Sequence, residues 1–141
     1  MEDADDDIKP QYTPEEIFIE ERITVFLLLL KITPNLKGYS YLKCAIKKIL
    51  ENRAYKRNMS NGLYEVMAKE FGISKNLIDR SMRHAILVGC KRGGIEYFEL
   101  RTGYSFSNER PTPREMICTL VEILTVEMYE GTKKMAKKLK A

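Results

Sequence analysis

"GISKNLIDRSMRHAILVG", Gly72–Gly89, decides the reading of this chain. From Ser74 onward, at about 100° per residue, Ile78, Met82, Ala85, Ile86 and Gly89 fall on one side of a helix. Asn76, Arg80 and Arg83 fall on the other side, with Asp79 and His84 on its two shoulders. Just upstream, "LYEVMAKEF" (Leu63–Phe71) places Leu63, Val66, Met67 and Phe71 on one stripe and stops at Gly72, a residue favoured at helix ends. A short helix, a tight glycine-containing turn and a longer helix predict a helix-turn-helix.

The flanking chain is also helical in pattern. At "TPEE", Thr13 suits an N-cap, Pro14 the first helical position and Glu16 a capping box, so a helix is predicted from Pro14 to about Ile32. Its second half, "ITVFLLLLKI", is apolar nearly all round, which fits either the centre of the core or a face covered by another protein. In "KGYSYLKCAIKKILENR", Leu42, Ala45, Ile46, Ile49 and Leu50 recur at helical spacing, and "NMSNG" reads as a turn. "IEYFELRTGYSFS" fits a short helix or two short strands around "RTG", with "YFEL" favouring helix. Thr112, Pro113 and Glu115 repeat the cap, proline and capping-box pattern. Ile117, Leu120, Val121, Leu124 and Met128 then form a helical stripe that is predicted to end at Gly131. The expected organisation is therefore a disordered acidic tail over residues 1–12, a helical domain over 13–130 and a frayed basic tail over 131–141.

Composition narrows the function. Of 141 residues, 44% are apolar, enough for one domain with a core. Residues 1–21 hold nine acidic side chains and one lysine, which leaves 23 Lys and Arg against 11 Asp and Glu in residues 22–141, a net +12. A body that basic suits an anionic partner such as double-stranded DNA, or is simply a soluble basic surface. The longest apolar run, "VFLLLL", stops at Lys31 far short of the roughly 20 residues a membrane span needs. Cys44, Cys90 and Cys118 are scattered and form no metal-ligand or disulfide pattern, so a reducing cytoplasm is the expected location, with no cofactor and no metal. With one histidine, no glycine-rich phosphate loop and no nucleophile beside a recognisable base, an enzyme is not expected.

The polar face of the Ser74 helix carries the chemistry. Arg donates two hydrogen bonds to guanine O6 and N7, and a carboxylate accepts from cytosine N4, so Arg80, Arg83 and Asp79 are candidate base readers. Asp79 equally fits an i, i+4 partner holding Arg83. Ser74 as N-cap, with Lys75 and the first free amides, suits a phosphate. Lys91 and Arg92, at the far end, suit the DNA backbone or the helix dipole. A solvated helix shows the same pattern of charges, and a lone His84 is more often a surface residue than a ligand.

Several stretches are held in common with one family. "KGYSYLKCAI" (Lys37–Ile46), "LYEVMAKEFGIS" (Leu63–Ser74), "DRSMRHAI" (Asp79–Ile86), "RGGIE" (Arg92–Glu96), "GYSFS" (Gly103–Ser107) and "PTPREMI" (Pro111–Ile117) keep that family's order and spacing. Over about Ile32 to Glu127 the chain resembles the C-terminal effector domain of the stage-zero sporulation response regulator, a transcription factor of endospore-forming bacteria. The resemblance implies an all-α fold of about six helices, a winged-helix-like effector domain whose helix after "GIS" reads DNA. It implies base contacts from Asp79, Arg80 and Arg83 to a box with a GTCGA core, and places Ser74, Asn76 and His84 near the phosphate backbone. It also implies paired domains on tandem boxes, hence a homodimer on DNA, and contact of the region around Gly93–Phe106 with the sigma subunit of RNA polymerase.

The departures from the family are specific. Asp79 stands where the family usually has glutamate, Leu77 where arginine is expected, and "YFELRTG" replaces a more serine-rich sigma-contacting segment. Residues 1–21 are too short for a receiver's phosphoacceptor pocket, so switching by phosphorylation is not expected. The leading expectation is a sequence-specific DNA-binding regulator. The alternative is an antagonist that pairs with a full-length relative or with sigma without reading DNA, using the apolar "VFLLLL" helix while the acidic tail covers the basic groove.

Overall fold

Thr13 starts the first helix as its spacing predicts: its Oγ1 accepts from the Glu16 amide at 3.1 Å, and its own amide donates to Glu16 Oε2 at 2.9 Å. The computed structural model describes residues 11–140, so most of the expected acidic tail lies outside the described residues. Six α-helices follow in order: α1 Pro14–Leu29, α2 Lys37–Glu51, α3 Tyr64–Phe71, α4 Lys75–Lys91, α5 Gly94–Thr102 and α6 Pro113–Lys140. A 3-10 turn at Arg53–Arg57 and a π turn at Met59–Leu63 join α2 to α3, so "NMSNG" winds directly into the next helix. No strand occurs among the described residues, and the ambiguous segment after α4 is the helix α5.

α1 ends earlier than predicted, at Leu29 rather than about Ile32. Lys31 adopts a left-handed φ of 62°, and the amides of Lys31 and Ile32 bond back to the carbonyls of Leu28 and Leu27. This is a Schellman turn with lysine in the place where glycine is usual. Arg92 braces it by donating to Lys31 O at 3.0 Å and to Thr33 Oγ1 at 3.2 Å, and Lys31 Nζ rests 4.3 Å from the Tyr97 ring centroid. Of the two readings of the apolar helix, the core takes most of it: Ile23, Phe26, Leu27 and Leu30 are buried, while Val25 and Leu28 stay exposed. Phe26 meets Phe98 of α5 edge-on, with ring centroids 5.8 Å apart.

Two glycine contacts set how closely the helices approach α4. A Cβ on Gly38 of α2 would lie 2.3 Å from Ser81 O, so α2 and α4 touch backbone to backbone there. The Leu30 carbonyl fits between Gly89 and Gly94, where added Cβ atoms would lie 2.6 and 1.9 Å from it. Gly72, at φ 68°, closes α3 as predicted. The α3 stripe differs from expectation at two positions: Tyr64 is buried, and Phe71 is 40% exposed and lies edge-on to Tyr41.

The last helix also departs from the prediction. Thr112 Oγ1 accepts from the Glu115 amide at 3.1 Å, but Glu115 Oε1 takes a hydrogen bond from Asn108 instead of completing a capping box. α6 does not stop at Gly131 but continues to Lys140, because a glycine inside a helix is tolerated when its φ stays helical. Met116, Ile117, Leu120, Val121, Ile123 and Leu124 pack it into the core, and Arg22 grips Glu127 through two bonds of 2.9 and 3.2 Å. No helix among the described residues is long and apolar enough to cross a membrane.

Candidate nucleic-acid interface

α4 is held from beneath by the stripe read in the sequence: Ile78, Met82, Ala85, Ile86 and Gly89 are all buried. Its outer face therefore points away from the core, and Asn76, Arg80, Arg83 and His84 are all exposed. Ser74 caps the helix by accepting from the Leu77 amide at 3.1 Å, and the amides of the first turn face outward from the helix end. Between α3 and α4 lies only the Gly72–Ser74 turn, an arrangement that fits a helix-turn-helix.

The charged residues of this face are not equivalent. Arg83 Nε binds Asp79 Oδ2 at 2.7 Å, one turn away, with Asp79 half-buried. Beneath them, burial pushes the Tyr64 hydroxyl up to about 12, the charge of Asp79 adds to the shift and Arg83 opposes it. Arg80 has no acidic partner among the described residues, whereas Lys75 is paired with Glu65 of α3 at 3.1 Å. Lys91 is exposed at the far end of α4, about 25 Å from Ser74 at 1.5 Å per residue. Arg92 lies beyond it and is turned toward the α1–α2 connection, where it braces Lys31 and Thr33. The structure thus gathers Asn76, Asp79, Arg80, Arg83 and His84 on one surface, puts Ser74 and Lys75 at its near end, and gives Arg92 a structural bond.

Two residues beside this face were not singled out in the sequence. A cleft of about 480 Å³ between α2 and α4 is lined by Asn35, Leu36, Lys37, Leu77, Arg80, Ser81 and His84. Asn35 and Lys37 come to it from more than forty positions upstream, brought in by the Gly38–Ser81 contact. A lysine in the first turn of a helix, opposed by the helix dipole, is the signal that marks Lys37.

Burial pushes the thiols of Cys44 and Cys90 up, the opposite of what activates a cysteine. Over residues 23–124, well over half of the chain, the sequence matches the family described as the C-terminal domain of sporulation initiation factor Spo0A. The chain belongs to the Spo0A C-terminal family. The match spans α2 to α5 entirely, the second part of α1 and the first part of α6. Membership in the Spo0A C-terminal family supports DNA binding and transcription regulation in sporulation, the work of a regulatory family and not of an enzyme family. In α4, Asp79 is bound to Arg83, and Leu77 lines the same cleft as Lys37.

Proposed function

We propose that this chain is a sequence-specific DNA-binding transcription regulator of the sporulation effector type, and that α4 reads a short box with a GTCGA core in the major groove. Arg80 and Arg83 read guanine, and Asp79 accepts from cytosine N4. Ser74, Lys75, Asn76, His84, Lys91 and Arg92 line the phosphate backbone on either side, with Lys75 exchanging Glu65 and Arg92 sharing its loop bond for phosphate oxygens. The observation that carries this reading is the presentation of Arg80 and Arg83 together on the exposed face of a helix whose opposite side is wholly buried. A second copy on a tandem box and the sigma subunit of RNA polymerase are the protein partners this reading entails.

Gel-shift titration tests it. At moderate salt the chain binds a GTCGA-core duplex more tightly than a scrambled one, and Arg80→Ala or Arg83→Ala costs about 1–3 kcal/mol on the box while changing the scrambled duplex much less. Equal binding of the wild-type chain to both duplexes overturns base reading.

One observation favours the antagonist as a second reading. Ile17, Phe18, Val25 and Leu28 are exposed along α1, and Leu100 of α5 is 80% exposed, an apolar surface suited to a protein partner. On that reading the chain captures a relative or sigma and binds neither duplex.

A further inference from the structure

We propose that the cleft between the first turn of α2 and α4 holds a DNA phosphate, and that Lys37 is a backbone-contacting residue acting beside Arg80 and His84. The inference rests on the DNA-binding reading and adds a second helix to the surface that engages the duplex.

Charge is the first support. No acidic side chain lines the cleft, whereas Lys37 and Arg80 both do, together with His84 and the polar Asn35 and Ser81. The other lysines of α2 all have a carboxylate partner: Lys43 and Lys47 share Glu20, and Lys48 binds Glu70. Lys37 is exposed and has no carboxylate partner among the described residues.

Helix energetics is the second support. A cation in the first turn opposes the helix dipole, and Leu36 caps α2 without a side-chain hydrogen bond. The charge of Lys37 therefore does not favour the start of its own helix, and an anion placed in the cleft offsets that unfavourable charge. The third support is rigidity. Gly38 lies directly against Ser81 O, so the two walls of the cleft keep their spacing, and Lys37 is held at a fixed offset from Arg80. A base-reading arginine and a lysine from a neighbouring helix then reach a base edge and an adjoining phosphate together.

The test uses the full chain and fluorescence anisotropy on box and scrambled duplexes across a salt series. Lys37→Ala is expected to weaken both duplexes by the same several-fold factor and to lower the salt slope by about one. Lys37→Arg retains the slope. Lys47→Ala, which removes the same charge from the other end of α2, leaves it unchanged. A slope for Lys37→Ala equal to that of wild type and Lys47→Ala, with folding verified by circular dichroism, overturns the proposal. Inorganic phosphate is titrated in parallel at constant ionic strength, following the His84 ring signals by NMR. Saturable phosphate binding that Lys37→Ala abolishes, with its DNA slope intact, assigns the cleft to a free anion and also overturns it. Failure of base reading is separate: equal wild-type affinity for both duplexes together with a Lys37→Ala loss on each leaves the phosphate site standing.

Discussion

Asp79 and Arg83 form a 2.7 Å ion pair across one turn of α4, on the face that carries Arg80, which has no acidic partner among the described residues. In the free protein the carboxylate of Asp79 is thus occupied by an arginine of the same helix face. Base contact by either residue requires that this bond be shared or exchanged.

Lengthening the acid should alter that exchange. Asp79→Glu is expected to raise the preference for the GTCGA-core box over a scrambled duplex, because the longer carboxylate reaches cytosine N4 while still bracing Arg83. Asp79→Asn should lower that preference. Competition binding with duplexes changed only at the cytosine position measures both, and a preference identical in all three proteins refutes base contact by residue 79.

Gly94 and Gly38 should tolerate no side chain. A Cβ at Gly94 would lie 1.9 Å from Leu30 O, and at Gly38 2.3 Å from Ser81 O, both backbone atoms that cannot swing away. Each alanine substitution is expected to cost about 1–3 kcal/mol or more in urea unfolding, as overpacking does. Gly38→Ala should in addition weaken DNA binding, since it shifts α2 from the flank of α4. Unchanged unfolding midpoints contradict the packing described.

Arg92 offers a separation of structural from DNA-binding work. Its bonds to Lys31 O and Thr33 Oγ1 brace a lysine at φ 62°, so Arg92→Ala is expected to lower stability by about 1 kcal/mol, an exposed charge-assisted bond being worth less than a buried one. The urea midpoint should fall with an unchanged slope. If stability is unaltered while DNA affinity drops, the residue acts on the phosphate backbone alone.

Alkaline titration reports on the surface from beneath. Tyr64 is pushed up to about 12 by burial first and by Asp79 second, so its folded-state value lies above the unfolded one near 10. A raised value means that the neutral hydroxyl stabilises the fold fully below about pH 10 and that this contribution is lost as pH rises toward 12. Ultraviolet difference spectra should show one late-ionising tyrosine that disappears in Tyr64→Phe. In Asp79→Asn it should ionise earlier, and an unmoved midpoint would show that Asp79 does not act on Tyr64.

Local pattern carried a large part of this protein. Helix spacing identified the buried stripe of α4 residue for residue, the Thr13 and Ser74 caps and the Gly72 stop, because a helix repeats every 3.6 residues and its ends need local side chains or glycine. The helical reading of the segment after α4 held for the same reason, and the order of family stretches pointed to the family that the match over residues 23–124 establishes. Where competing partners from afar intervene, local rules fell short. Glu115 satisfies the spacing of a capping box but is taken by Asn108, and α1 stops early because Arg92 and Tyr97 stabilise a left-handed lysine sixty positions away. The charged face of α4 was legible as a list of residues, whereas the state of each was not: Asp79 bound to Arg83, Lys75 bound to Glu65, Arg80 free of any acid among the described residues. The sequence by itself determined the helices, their buried sides and the family. Only the tertiary structure decided which charges remain available and that Lys37 stands beside Arg80, since that juxtaposition depends on two backbones meeting at Gly38 and Ser81, a contact no periodicity along the chain encodes.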